Sequence, residues 1–195
     1  MKTARKVLIL ALCAVLLVSA TIMGTMAYLT SQAKVVNTFT VGSVAITLDE
    51  TDVDGSAGRD TKNAYKLLPG HTYTKDPIIH VASNSEDCYL FVKVVDEIAD
   101  IQDTKTVAAQ MKEQGWEAVD GVENVYVYTV NGEKTAVSAE ANVTVFKSFK
   151  IKDDVTNTEL AKYQDKTITV TAYAVQKDGF EGKTAAEIWN AAFAG

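Results

Sequence analysis

The sequence is poor in cysteine and histidine, on which disulfide-rich folds and many metal sites depend. It has only two of each, and Cys13 lies within an apolar N-terminal run. Beyond that run Cys88 has no partner for an internal disulfide, so stability must come from core packing. Cys88 alternates in phase with Leu90, Val92 and Val94, which predicts a buried, unreactive thiol on the apolar face of a strand.

Basic charge is also scarce outside the extreme N-terminus. The chain has 195 residues and a net charge of -6, and no charged side chain lies between Val7 and Ala33. Residues 28–195 contain 16 basic and 25 acidic groups, a net charge of -9. Binding to nucleic acid requires clusters of Lys and Arg that neutralise phosphates, so nucleic acid is excluded as a partner.

The N-terminus has the three-part pattern of a secretory signal peptide. Met1–Lys6 is basic and Val7–Val18 is an unbroken apolar run. Thr25 and Ala27 provide the small residues that a signal peptidase requires, which predicts cleavage between Ala27 and Tyr28. The alternative is an uncleaved anchor, because 7–26 is long enough to span a bilayer. We expect a signal peptide helix in 1–27, one domain in 28–195, and membrane contact only through the leader before cleavage.

The remaining sequence is dominated by strand patterns separated by turn signals. Phe39 and Val41 share one parity, and Val44, Ile46 and Leu48 share the other, which predicts a first strand kinked at Gly42. Further strands are predicted at Thr72–Ala82, Cys88–Glu97, Val122–Val130, Asn142–Ile151 and Lys166–Gln176. The dipeptide Asn131-Gly132 predicts a hairpin turn after Val130. Short helices are predicted at Thr106–Gln114 and after the capping-box residues Thr156 and Thr184. Without βαβ alternation, this order predicts a mainly β fold, a two-sheet antiparallel sandwich with a few short helices.

Motifs of catalysis and cofactor binding are absent, so no catalytic residue and no cofactor is predicted. His71 and His80 belong to no zinc motif, and no nucleophile elbow or phosphate-binding loop is present. One acidic segment has the beginning of a calcium-loop spacing, with Thr61 where a bidentate Glu is expected. Its candidate ligands are Glu50, Asp52, Asp54 and Asp60. The alternative is a solvated acidic loop that binds no metal.

Several segments resemble the TasA/camelysin family of Gram-positive bacteria. The most specific are the leader segment GTMAYLT at 24–30 and the first-strand segment NTFTVGSV at 37–44. Shorter similarities follow along the chain, in LPGH at 68–71, KDPI at 75–78, CYLFVKV at 88–94, TAYAVQ at 171–176 and AEIW at 186–189. The resemblance therefore touches the whole chain, although each segment is short.

This resemblance implies a jelly-roll-like sandwich that a dedicated signal peptidase releases to the cell surface or biofilm matrix. It also implies fibres in which the N-terminal segment of one subunit completes the sheet of the next. Here the donor is expected at Tyr28–Glu50, with apolar side chains entering the partner's groove. These side chains are Phe39, Val41, Val44, Ile46 and Leu48. Such head-to-tail addition does not close on itself. The alternative is that the same strand folds into its own sheet and the protein is a monomer.

Two other functions remain open from the sequence. Camelysin-like members are classed as metallopeptidases, and a zinc site here would have to use His71 or His80, outside any recognised motif. A monomeric surface binding module would use Tyr126, Tyr128 and Tyr173, which are expected on strand surfaces, to contact a peptide or glycan. The leading hypothesis is a secreted structural protein that forms homo-oligomers or fibres.

Overall fold

The computed structural model describes residues 3–7, 9, 11–14 and 42–194. The chain divides into two compact units, Met1–Thr40 and Val41–Gly195. In the first unit, residues 3–7, 9 and 11–14 are helical. No helix within the described residues has both the length and the apolar character needed to span a bilayer. The predicted cleavage site at Ala27 and Tyr28, and the strand positions Phe39 and Val41, lie outside the described residues.

The second unit is built mainly from antiparallel strands, as the sequence predicts. The strands are β1 Ile46–Thr51, β2 Arg59–Asp60, β3 Thr72–Thr74, β4 Ile78–Val81, β5 Cys88–Asp96, β6 Trp116–Ala118, β7 Val125–Val130, β8 Glu133–Lys134, β9 Ala136–Val137, β10 Asn142–Thr144, β11 Ser148–Lys150 and β12 Ile168–Gln176. One sheet has the order β10-β4-β1-β2, a second pairs β11 with β3, and the largest has the order β12-β5-β7-β6. In the largest sheet, β8 also pairs with β7 and β9 with β5.

Short helices complete the second unit. They are α1 Val107–Glu113, α2 Asn157–Leu160 and α3 Ala185–Ala192, with 3-10 turns at Ala99–Ile101 and Ala161–Tyr163. Thr106 caps α1, and Thr156 and Thr184 cap α2 and α3 through full capping boxes, as predicted. The predicted turn at Asn131-Gly132 joins β7 to β8, and both residues have the positive φ that a tight hairpin of this type requires.

The core has two layers, one on each face of β5. Leu90, Val92 and Val94 face the four-stranded sheet and pack with Ile79 and Val143. On the opposite face, alternate residues of β5 pack with β7 and α3 in a second cluster. Its buried members are Tyr89, Phe91, Val119, Val125, Val127, Ile188 and Trp189. The four-stranded sheet and the largest sheet therefore enclose the first cluster, and α3 covers the outer face of the largest sheet.

Two predicted strands are each divided into two. Thr72–Ala82 becomes β3 and β4, which lie in different sheets, and Asn142–Ile151 becomes β10 and β11. The divisions coincide, because β4 pairs with β10 and β3 pairs with β11. Pro77 lacks the N–H that a continuous ladder needs, but its carbonyl still accepts a hydrogen bond from Val145 N at 2.8 Å. The two segments thus pass from one sheet to another together.

The first strand also differs from its prediction. It begins at Ile46, and residues 42–45 form no strand, so the expected kink at Gly42 lies before β1 and not within it. The strand pairs antiparallel with β4 from Ile46 to Asp49 and with β2 at Glu50 and Thr51. In this structure, β1 therefore belongs to the chain's own sheet.

Candidate functional site: an open groove between two strand edges

Two strands on the same side of the sandwich have an edge that is unpaired, wholly or in part, among the described residues. β12 pairs with β5 along nine residue pairs and has no partner on its other side. β1 pairs with β4 on one side, and β2 covers its other side only at Glu50 and Thr51. Unpaired edges present free N–H and C=O groups, which can accept a further strand.

Between these edges lies a groove of about 830 Å³. Leu48 contributes to it from β1, and Ile168 and Val170 contribute from β12. Its other large apolar lining residues are Tyr65, Leu67, Pro77, Ile98, Phe149, Leu160 and Tyr163. Ile168 and Val170 point toward the sandwich interior and contact the first core cluster, yet each is only half-buried. The core of the sandwich is therefore open to solvent on this side.

The groove also contains a buried ion pair. Lys75 Nζ donates to Glu50 Oε2 at 2.7 Å, and the two side chains are 11% and 7% exposed. The other oxygen, Oε1, accepts from Asn63 Nδ2 at 3.0 Å. Both oxygens of this carboxylate are thus occupied by one lysine and one amide. The ring of Tyr65 lies 6.0 Å from Lys75 Nζ, and burial, followed by the charge of Glu50, raises the pKa of this tyrosine.

Three of the four candidate calcium ligands are brought together. One ligand oxygen from each of Asp52, Asp54 and Asp60 lies within 4.8 Å of the others. Glu50 is separated from them by its ion pair with Lys75. Hydrogen bonds from the backbone N–H groups of Ala57 and Gly55 hold the pKa of Asp52 below its usual value. The three aspartates have the oxygen ligands that a hard cation prefers. Hydrogen bonds from backbone N–H groups to Asp52 also hold the loop in shape without a cation.

The histidines occupy different environments. His80 lies on β4, where Nε2 is 3.1 Å from Asp49 Oδ1 and Nδ1 contacts Asn142 Oδ1. His71 precedes β3, and its ring contacts the ring of Tyr73 with centroids 4.6 Å apart. Across the described ranges, the group with metal-ligand spacing consists of the three aspartates and includes no histidine.

The candidate assembly residues that the structure describes pack within their own subunit. Val44, Ile46 and Leu48 are half-buried against the first core cluster. This arrangement corresponds to the alternative in which the strand joins its own sheet. Only residues that precede this packed segment remain as a candidate donor.

The three tyrosines do not form one exposed surface, which corrects the arrangement expected for a binding module. Tyr126 and Tyr128 face the first core cluster, and Trp116 contacts Tyr128 edge to face. Tyr173 faces the opposite side of the same sheet, against Trp189 and the second cluster. All three are half-buried because helix or sheet covers both faces of the large sheet.

Cys88 is fully buried on β5, as its strand phase predicts. Burial, with a smaller contribution from the charge of Asp87, raises the pKa of its thiol to about 11. A thiol that stays protonated at neutral pH is a poor nucleophile, so this cysteine acts as a core residue.

Comparisons of the chain with protein-family models, with curated proteins and with solved structures found no match.

The groove and its ion pair are not evident in the sequence. Glu50, Asn63 and Lys75 come from three segments, and only tertiary pairing brings them together. The one signal for the groove was the alternating pattern of β12, which predicts one solvent-facing side but not an open edge.

Proposed function

We propose that this chain is a secreted structural protein of the cell surface or biofilm matrix that assembles into fibres by N-terminal strand donation. A leader in 1–27 would direct export, and a signal peptidase would release the chain at Tyr28. The observation that supports the proposal is the groove between β1 and β12, which has an unpaired strand edge on each side. A jelly-roll arrangement of the sandwich is part of the same proposal.

The chemistry of the groove suits an added strand. A strand paired with the free edge of β12 gains backbone hydrogen bonds there, and its alternate side chains cover Leu48, Ile168 and Val170. Because residues 43–45 and β1 are bound within their own subunit, the donor would be residues 28–42 of another copy, with Phe39 and Val41 as the anchoring side chains. Each subunit then has one donor and one acceptor, so addition continues head to tail.

The test uses the chain that begins at Tyr28 and two variants that each lack one half of the contact. Deletion of residues 28–42 removes the donor and leaves the groove. Val170→Lys places a charge in the groove and leaves the donor. Thr171→Lys is the matched control, because Thr171 is on the same strand but exposed on the opposite face. Electron microscopy and sedimentation then measure fibre length.

We expect fibres from the parent and from Thr171→Lys, and none from the deletion or from Val170→Lys alone. The deletion and Val170→Lys mixed together should form a one-to-one complex, because one supplies the groove and the other the donor. If the parent stays monomeric at high concentration, or if the deletion polymerises equally well, strand donation is wrong. Intact mass of the exported chain, starting at Tyr28 or at Met1, tests cleavage separately.

A further inference from the structure

The buried carboxylate of Glu50 binds more than its ion-pair partner Lys75. It also holds the side-chain amide of Asn63 in a fixed position. Asn63 is held at both ends of its amide: Nδ2 donates to Glu50 Oε1 at 3.0 Å and to Thr51 O at 2.9 Å. Its Oδ1 accepts from the backbone N–H of Val53 at 2.7 Å. Lys75 donates at 2.7 Å to the other oxygen of the same Glu50 carboxylate. An amine and a carboxamide are thus fixed on either side of one buried acid.

We propose that Lys75 and Asn63 join in an intramolecular isopeptide bond, formed by the folded chain itself with Glu50 as the acid and base. The amine of Lys75 is the nucleophile, and Cγ of Asn63 is the electrophile. The Val53 N–H stabilises the negative charge that develops on Oδ1 during attack. Holding both reactants in one site converts a slow bimolecular amide exchange into an intramolecular one.

The reaction balances with no added reagent. A proton moves from Lys75 Nζ to Glu50 Oε2 along their hydrogen bond, which leaves a neutral amine. The nitrogen attacks Asn63 Cγ, and the tetrahedral intermediate carries its negative charge on Oδ1. Glu50 returns its proton to Nδ2, the Cγ–Nδ2 bond breaks, and the departing ammonia takes the extra proton from Nζ, which leaves the neutral Nζ–Cγ amide bond. Overall, a lysine ammonium and an asparagine amide give one secondary amide and one ammonium ion.

The residues around Glu50 and Lys75 keep water away from the reacting groups. Glu50 and Lys75 are both buried, so water has little access to the reacting amine. The ring of Tyr65 lies beside Lys75, and it packs edge to face on Phe149 at 5.3 Å between centroids.

The bond would connect the segment after β2 to the segment between β3 and β4. It would close the loop of residues 63–75, which contributes Tyr65 and Leu67 to the groove. A covalent closure there would hold one wall of the groove in place even when the surrounding strands are under load. The proposal concerns a single chain, so it stands or falls independently of fibre formation.

Mass spectrometry of the purified full chain tests the bond. Formation should lower the intact mass by about 17 Da, the mass of the ammonia lost. Trypsin should then release Asn63–Lys66 covalently attached to Leu67–Lys93, because a modified Lys75 is no longer cleaved. An unmodified chain gives separate peptides Asn63–Lys66 and Leu67–Lys75.

Three variants assign the roles. Lys75→Met and Glu50→Gln should both restore the full mass, and Lys62→Met, which removes an exposed lysine next to Asn63, should retain the loss. Cyclisation of Asn63 alone to a succinimide gives the same mass change but persists in Lys75→Met. A folded parent chain with full mass and separate peptides overturns the proposal, and so does a mass loss that survives Lys75→Met.

Discussion

The two longest strands, β5 and β12, lie side by side along nine residue pairs but are buried to very different extents. β5 has neighbours on both edges and cover on both faces, and its sequence CYLFVKVVD is almost continuously apolar. Among the strands that the structure describes, β12 has one neighbour, and its sequence ITVTAYAVQ alternates and has no fully buried residue. The contrast separates a closed side, where packing stabilises the fold, from a groove side, where inward-facing residues still lack a cover.

Phe91→Ala should have the largest effect, because it opens the closed side. Phe91 is fully buried at the centre of β5 and contacts Trp189 and Phe193 of the C-terminal segment. Removing a buried aromatic ring costs about 3–5 kcal/mol of unfolding free energy. Urea denaturation of the chain measures this loss. Phe180→Ala, at a half-buried ring packed on the same cluster, serves as the control and should lose clearly less.

Asp76→Ala should have the next largest effect, and it tests how far polar contacts replace packing on the groove side. Asp76 accepts from Thr51 N at 2.7 Å, from Thr51 Oγ1 at 2.9 Å and from Arg59. Leaving these donors unpaired costs about 2–3 kcal/mol. Asp153→Ala, at an exposed ion pair with Lys150, should change stability little.

Asp76 also gives the groove side a defined pH dependence. Burial alone would raise the pKa of its carboxyl, but the bonds from Thr51 and the Arg59 guanidinium together hold it below 3.8. As pH falls, the unfolded chain therefore binds the proton first, so stability from Asp76 is complete above pH 3.8 and is lost below it. Asp76→Ala should flatten the stability curve in that range, and an unchanged slope would contradict this assignment.

Val92→Ala and Val170→Ala compare the two strands with the same chemical change. Val92 is fully buried on β5, whereas Val170 lines the groove on β12. We expect a loss of about 2 kcal/mol for Val92→Ala and less than about 1 kcal/mol for Val170→Ala in the monomer. If fibres form, Val170→Ala should weaken assembly more than it weakens the monomer. Equal losses in the monomer would show that the groove side is not open in solution.

Local features of the fold were predictable from sequence because short-range physics determines them. The alternation in β5 and β12, the Asn131-Gly132 turn and the capping boxes at Thr156 and Thr184 all appear as predicted. The coupled break of β3–β4 and β10–β11 could not be predicted, because it depends on pairing between distant segments. The partial burial of Tyr126 could not be predicted for a similar reason: both faces of its sheet are covered.

The candidate site was less predictable than the fold. Sequence spacing grouped Glu50 with Asp52, Asp54 and Asp60, but alternation along β1 and its pairing turned Glu50 toward Lys75. A spacing rule assumes one loop geometry, whereas Glu50 lies on a strand and the three aspartates lie in and after the following turn. Asn63 carried no motif, and only the folded chain places it against Glu50.

Thr184→Ala and Thr156→Ala should have the smallest effects, and they compare two identical capping boxes on opposite sides. In each box, the threonine hydroxyl accepts from the glutamate N–H three residues on, and that glutamate binds back to the threonine N–H. Loss of such a cap costs about 1 kcal/mol of helix stability. α3 buries Ile188 and Trp189, so Thr184→Ala should lower global unfolding free energy by that amount. α2 buries no residue, so Thr156→Ala should leave the urea midpoint nearly unchanged and speed amide exchange only locally. A global loss from Thr156→Ala equal to that from Thr184→Ala would mean that α2 is part of the cooperative core, and that the groove side is closed after all.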